Sequence, residues 1–164
     1  MRRTMLFLPS NNPNMIGNGG LLGADSLIFD LEDAVSPDEK DAARELLKNA
    51  LAAMSFGKCE IIVRINGLDT PYWQEDLRAV VPMKPDAIMP PKVSGAHDIA
   101  QLDQALTALE KEFGLEAGST RILALLETAI GVENAYAIAS ASPRMTGLFL
   151  GAEDLTADLR CQRT

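Results

Sequence analysis

Three side chains in this chain carry types and positions suited to chemistry: Arg64, Glu127 and Asp154. Glu127 ends the apolar run Ile122-Leu-Ala-Leu-Leu126, and Asp154 follows the run that ends at Leu150. Two carboxylates closing consecutive apolar runs, completed by water, form a ligand set suited to Mg²⁺, which binds through one or two carboxylates and keeps several waters. Arg64 interrupts Glu60-Ile-Ile-Val-Arg-Ile-Asn66 near its end. Its planar fork matches a carboxylate bidentately, so it reads as an anchor for an acidic substrate. A structural ion pair with Asp30, Glu32 or Asp33 is the competing reading, and the two are compatible. Glu32 and Asp33 are expected to support the site from behind, orienting water or holding basic side chains of the next helix. Ser10 and Asn11 could offer hydrogen bonds from a turn. Lys92 could meet a phosphate or carboxylate, although a structural or solvated lysine is the favoured reading. The single histidine, His97, opens a helix without an evident partner and is expected at the surface, so no Ser-His-Asp or Cys-His triad can be assembled.

These residues have to be positioned by something regular. Six short apolar runs recur, at Met5–Leu8, Ser26–Phe29, Glu60–Asn66, Ala87–Lys92, Arg121–Thr128 and Met145–Leu150. Continuous apolar runs bounded by turn residues fit strands buried on both faces. Between them lie helical segments: a glycine-rich one over Asn14–Leu22, one from Ser36 to about Met54, then Thr70–Val81, Ala96–Phe113 and Val132–Ser140. Ser36 is placed as an N-cap before Pro37 and the acids Asp38 and Glu39. Ala129-Ile-Gly131 reads as a turn. The fourth helix carries Ile99, Leu102, Leu106, Leu109 and Phe113 at helical spacing.

Strand alternating with helix six times predicts an α/β protein with a parallel sheet. Pro9-Ser-Asn-Asn-Pro13 lacks the glycine fingerprint of a dinucleotide-binding sheet. Polar residues instead end many different strands, at Asp30, Glu32, Asp33, Arg64, Asn66, Lys92, Glu127, Glu153 and Asp154. That distribution is how a (β/α)8 TIM-type barrel builds its site, so the fold is read as a single partial barrel domain over residues 1–164. Eight units take about 250 residues, so the chain is expected to lack the last two units.

Composition narrows the function classes. With 15 basic against 23 acidic residues and a formal charge of −8, no basic patch stands out for nucleic acid or anionic lipid. No apolar run approaches the length of a membrane span. Cys59 and Cys161 form neither a zinc spacing nor a disulfide framework, which is the pattern of a cytoplasmic protein.

Arg3-Thr-Met-Leu-Phe-Leu-Pro9, Ile28-Phe-Asp-Leu-Glu-Asp-Ala-Val35 with Lys40 and Ala43-Arg44, Ile62-Val-Arg-Ile-Asn66, Leu126-Glu-Thr128 and Gly151-Ala-Glu-Asp-Leu155 closely resemble the citrate lyase beta chains within the HpcH/HpaI aldolase superfamily. Asp158-Leu-Arg-Cys-Gln-Arg-Thr164 also looks like the citrate lyase version of its region. The resemblance implies a citryl-CoA lyase: Mg²⁺-dependent cleavage of a citryl-thioester to acetyl-thioester and oxaloacetate. It implies that Glu127 and Asp154 are metal ligands and that Arg64 and Glu127 line the substrate site as the catalytic residues. It further implies a homo-oligomer, acting with acyl carrier and transferase subunits. A related lyase acting on malyl-CoA, or a 2-oxo acid aldolase, is the alternative among enzymes. A truncated assembly subunit without activity is the alternative outside them.

Overall fold

A computed structural model describes residues 2–162, so the last two residues of the Asp158–Thr164 motif lie outside the described chain. Six strands, β1 (Met5–Pro9), β2 (Ser26–Asp30), β3 (Glu60–Arg64), β4 (Ala87–Met89), β5 (Arg121–Leu126) and β6 (Met145–Leu150), form one unclosed parallel sheet in chain order, the arrangement of an incomplete TIM-type barrel. All six fall on the apolar runs expected to be strands. Prolines 90 and 91 end β4 after three residues because they cannot donate to a ladder. The helices are α1 (Pro13–Asn18), α2 (Lys40–Ala53), α3 (Trp73–Val80), α4 (Ala96–Glu112), α5 (Ala129–Glu133), α6 (Ala135–Ala139) and α7 (Ala152–Asp158).

Two compact units divide the chain, Met1–Ile88 and Met89–Thr164. In the first, β1, β2 and β3 pair in register, with Leu8 beside Phe29 and Asp30 beside Arg64. All five residues of β2 are buried, which is why it reads as an unbroken apolar run. In the second, β5 buries Ile122 to Leu126 and pairs with β6 through a register shift at Ile122/Leu123.

Several local expectations are corrected. Ser36 precedes a 3-10 turn, Pro37–Glu39, and its side chain makes no capping bond; α2 begins only at Lys40. The glycine-rich segment is helical as far as Asn18 and tightens to a 3-10 turn over Gly19–Leu21. Ala129-Ile-Gly131 is the first turn of a helix, capped by the Thr128 side chain, which accepts from Gly131 N–H. The glycine there reflects crowding: a Cβ on Gly131 would collide with the carbonyl oxygen of Val93. The buried stripe of α4 runs Ile99, Leu102, Leu106 and then Glu110, while Phe113 is exposed. Beyond β6 the chain turns directly into α7, a helix that the residue pattern alone does not announce.

Candidate active site

In the unit Met1–Ile88 the site begins with register. Parallel pairing sets Asp30, the last residue of β2, beside Arg64, the last residue of β3. Arg64 Nε donates to Asp30 Oδ1 at 2.8 Å and Nη2 donates to Oδ2 at 2.5 Å, a bidentate pair in which Asp30 is only 2% exposed. Glu32 Oε2 lies 3.3 Å from Arg64 Nη1, and the guanidinium stacks over the Phe7 ring at 5.1 Å from its centroid. Burial opposes the Arg64 charge, but the hydrogen bond and charge of Asp30, with Glu32 and Asp33 behind it, outweigh burial and raise its pKa further. Arg64 is therefore a permanent cation held in one orientation.

The loop after β2 is held just as firmly. Asp30 accepts the backbone N–H groups of Glu32 and Ala34. The buried Lys40 ammonium donates to the carbonyls of Leu31 and Glu32 at 2.8 and 2.6 Å. Burial lowers the Lys40 pKa, against the pull of Glu32, Asp76, Asp30 and Asp33. Of the two expected supporting acids, Glu32 contacts Arg64, while Asp33 is exposed and offers its backbone N–H to Glu32 Oε2. Just past β3, buried Asp76 accepts both the backbone and the side-chain N–H of Asn66 and takes Arg44 Nε on its other oxygen. Ser10 is fully buried, its N–H donates to the Asp30 carbonyl, and its Oγ has no hydrogen-bond partner. Asn11 donates to Glu39 instead.

In the unit Met89–Thr164 the carboxylates have a different character. Glu127 follows β5 directly and is 5% exposed. Its Oε2 accepts the backbone N–H of Lys92 at 3.1 Å. Gly151 lies hard against its other side: a Cβ there would sit 2.5 Å from Glu127 Cγ and 2.7 Å from Oε1. Only glycine lets the chain leaving β6 pass this close to the carboxylate. Gly151 N–H donates to the Leu126 carbonyl, and Asp154 then enters in the first turn of α7. The Lys92 ammonium lies 3.7 Å from Asp154 Oδ2.

The structure thus gathers Glu127 and Asp154 around one residue, Lys92. Arg64 belongs to the other compact unit. His97 is at the surface, its side chain 77% exposed beside Asp98. Among the described residues, no group of three or more His, Cys, Asp or Glu is placed to hold a metal ion. A cation here would have two carboxylates and water, the set that Mg²⁺ accepts, so the residues fit that ion and not a thiolate- or imidazole-bound one. The ion pair of Arg64 with the acids after β2 was expected and is found with Asp30 and Glu32, whereas residue type gave no role to Lys40, Asp76 or Gly151.

The chain is 50% identical over 163 residues to the citrate lyase subunit beta of Leuconostoc mesenteroides, covering 99% of this chain and 54% of that protein. It is 42% identical over 157 residues to the (3S)-malyl-CoA thioesterase of Cereibacter sphaeroides, covering 96% of this chain and 51% of that one. The chain therefore spans about half the length of the curated relatives it matches. The solved citrate lyase beta subunit from M. tuberculosis, complexed with oxaloacetate and magnesium, superposes with a TM-score of 0.77 at 30% identity, covering 99% of this chain and 65% of that one. The model of HpcH/HpaI aldolase/citrate lyase matches residues 3–164, and the chain belongs to that family.

Proposed function

We propose that this chain carries cation- and acid-binding residues of a citryl-thioester lyase, a carbon–carbon lyase releasing acetyl-thioester and oxaloacetate with Mg²⁺ as cofactor. The observation that carries the reading is the pair Glu127 and Asp154, strand-end carboxylates gathered around Lys92 with Gly151 opening room for the first of them. The name of the Leuconostoc relative and the magnesium and oxaloacetate in the solved neighbour support the same chemistry.

Cleavage requires loss of the substrate hydroxyl proton. The carbon–carbon bond then breaks as the hydroxyl carbon becomes a ketone, the electron pair passes to the thioester enolate, and the enolate takes up a proton. A bound Mg²⁺ supplies Lewis-acid stabilisation of the negative charge on oxygen. Glu127 and Asp154 would hold it through one carboxylate each, and the Lys92 N–H orients the Glu127 carboxylate. Arg64, charged at any working pH and locked by Asp30, offers its guanidinium to a carboxylate of the 2-oxo acid half. Glu32 supports Arg64 directly, and Asp33 adds negative charge near it.

Acyl carrier and transferase partners, self-association and a cytoplasmic setting follow from the citrate lyase reading. No helix of the described residues is long and apolar enough to cross a membrane. The malyl-CoA relatives favour a second reading, in which the same site acts on a malyl-thioester.

Mg²⁺-dependent release of oxaloacetate from citryl-CoA, measured with the 164-residue chain and with a chain of the relatives' length, tests the proposal. Release that disappears in Glu127→Gln supports it, and undiminished release in that variant contradicts it. Turnover of malyl-CoA without citryl-CoA cleavage selects the second reading. Inactivity of the short chain beside an active long one would make the short chain the non-catalytic subunit.

A further inference from the structure

Lys92 has a left-handed backbone, with φ of 52°, which a residue carrying a Cβ holds only where its surroundings over-determine it. The surroundings do so. Leu125 N–H donates to the Pro90 carbonyl at 3.1 Å and Val93 N–H donates to the Leu125 carbonyl at 3.2 Å, so the residues on both sides of Lys92 are bound to one position of β5. Asn134 Nδ2 holds the Ser94 carbonyl at 2.8 Å, and Gly131 packs against the Val93 carbonyl.

The clamped turn sends the two ends of one residue to two carboxylates. The Lys92 N–H reaches Glu127 Oε2, while the ammonium reaches Asp154 Oδ2. These contacts differ in kind. The first is a hydrogen bond from an uncharged backbone N–H to a buried carboxylate, and it places no positive charge beside Glu127. The second, at 3.7 Å between side chains 47% and 36% exposed, is a charge contact too long for a hydrogen bond and readily broken.

We propose that the Lys92 ammonium is the resident counter-cation of Asp154, displaced when a divalent cation enters, so that Lys92 sets the cation affinity of the Glu127–Asp154 pair. The proposal rests on the reading of those two residues as cation ligands. Removing the ammonium removes both its repulsion of an incoming cation and its competition for Asp154. The surface-pair scale of such contacts corresponds to about a two- to five-fold gain in cation affinity.

Titrating the 164-residue chain with Mn²⁺, the free ion followed by electron paramagnetic resonance, tests it. Lys92→Met keeps the stem and loses the charge, Lys92→Gly loses the charge and relieves the left-handed backbone, and Lys92→Arg keeps the charge. Tighter Mn²⁺ binding in both Met and Gly variants, with the Arg variant near wild type, is the expected result, and the gain should shrink at high salt. Unchanged or weaker binding in Lys92→Met overturns the proposal, as does a gain confined to Lys92→Gly, which would trace to backbone strain. Failure of the wild-type chain to bind Mn²⁺ at all would instead overturn the cation reading of Glu127 and Asp154, and this proposal with it.

Discussion

Strands β5 and β6 carry charged clusters at both ends, and the two ends are built on opposite terms. At their N-terminal ends Arg144, 4% exposed, is saturated: Nε donates to Asp103, Nη1 to Glu110 and the Thr120 carbonyl, and Nη2 to Thr107 and Glu110. Glu110 also accepts the N–H groups of Gly118 and Thr120, and Ser142 completes Asp103. At their C-terminal ends Glu127 accepts the Lys92 backbone N–H, and Asp154 lies in a long charge contact with the Lys92 ammonium. The closed network fastens α4 to the starts of β5 and β6. At the other end the Lys92–Asp154 contact is longer and more exposed, and that is where an entering cation competes most easily. In barrel folds the C-terminal face carries chemistry and the N-terminal face stability, and this unit divides its ion pairs accordingly.

The sharpest way to break the comparison is Arg144→Met, which leaves buried Glu110 and half-buried Asp103 without their cation. A loss of about 3–5 kcal/mol in urea unfolding is expected. Acid is the next largest perturbation. Burial alone would push the Glu110 carboxyl up, but Arg144 and the two backbone N–H groups bring it down to about 2 from the ordinary 4.5. A depressed folded-state pKa gives stability that is complete above pH about 4.5 and lost as pH falls through about 2, roughly 3 kcal/mol in all. Unfolding free energies across that window should fall less steeply in Glu110→Gln than in the wild type, the remaining slope coming from other depressed carboxyls such as Asp103 and Glu60. At the opposite end Glu127→Gln, which keeps an acceptor for the Lys92 N–H, should change stability by less than about 1 kcal/mol by the same urea measurement. Smallest of all, Phe113→Leu, which keeps an apolar side chain at a position 39% exposed where the helical spacing had suggested core, should stay within about 0.5 kcal/mol.

The same contrast shows what could be read from residue order. Apolar runs located all six strands, and charges at their ends located Arg64, Glu127 and Asp154, because a strand buried on both faces excludes charge until it ends. Pairing was not legible. Three acids follow β2, and only the register that sets Asp30 beside Arg64 selects the principal partner. In α4 the apolar stripe pointed to Phe113, yet Glu110 is the buried residue, since a carboxylate satisfied by Arg144 can occupy a core position that spacing assigns to apolar side chains. Gly131 suggested a turn because its signal is ambiguous: the glycine answers the close approach of Val93, not a break in the helix. Lys92 gave no sign of its left-handed backbone, which arises from hydrogen bonds to β5 that lie far away in sequence.

The rise in melting temperature on adding Mg²⁺ bears most directly on the claim that the two ends differ in purpose, since an ion that binds only the folded state stabilises it by mass action. Measured for wild type, Glu110→Gln and Glu127→Gln, the rise should persist in the first two, even where Glu110→Gln starts from a lower temperature, and vanish in Glu127→Gln. An equal rise in Glu127→Gln would contradict the account.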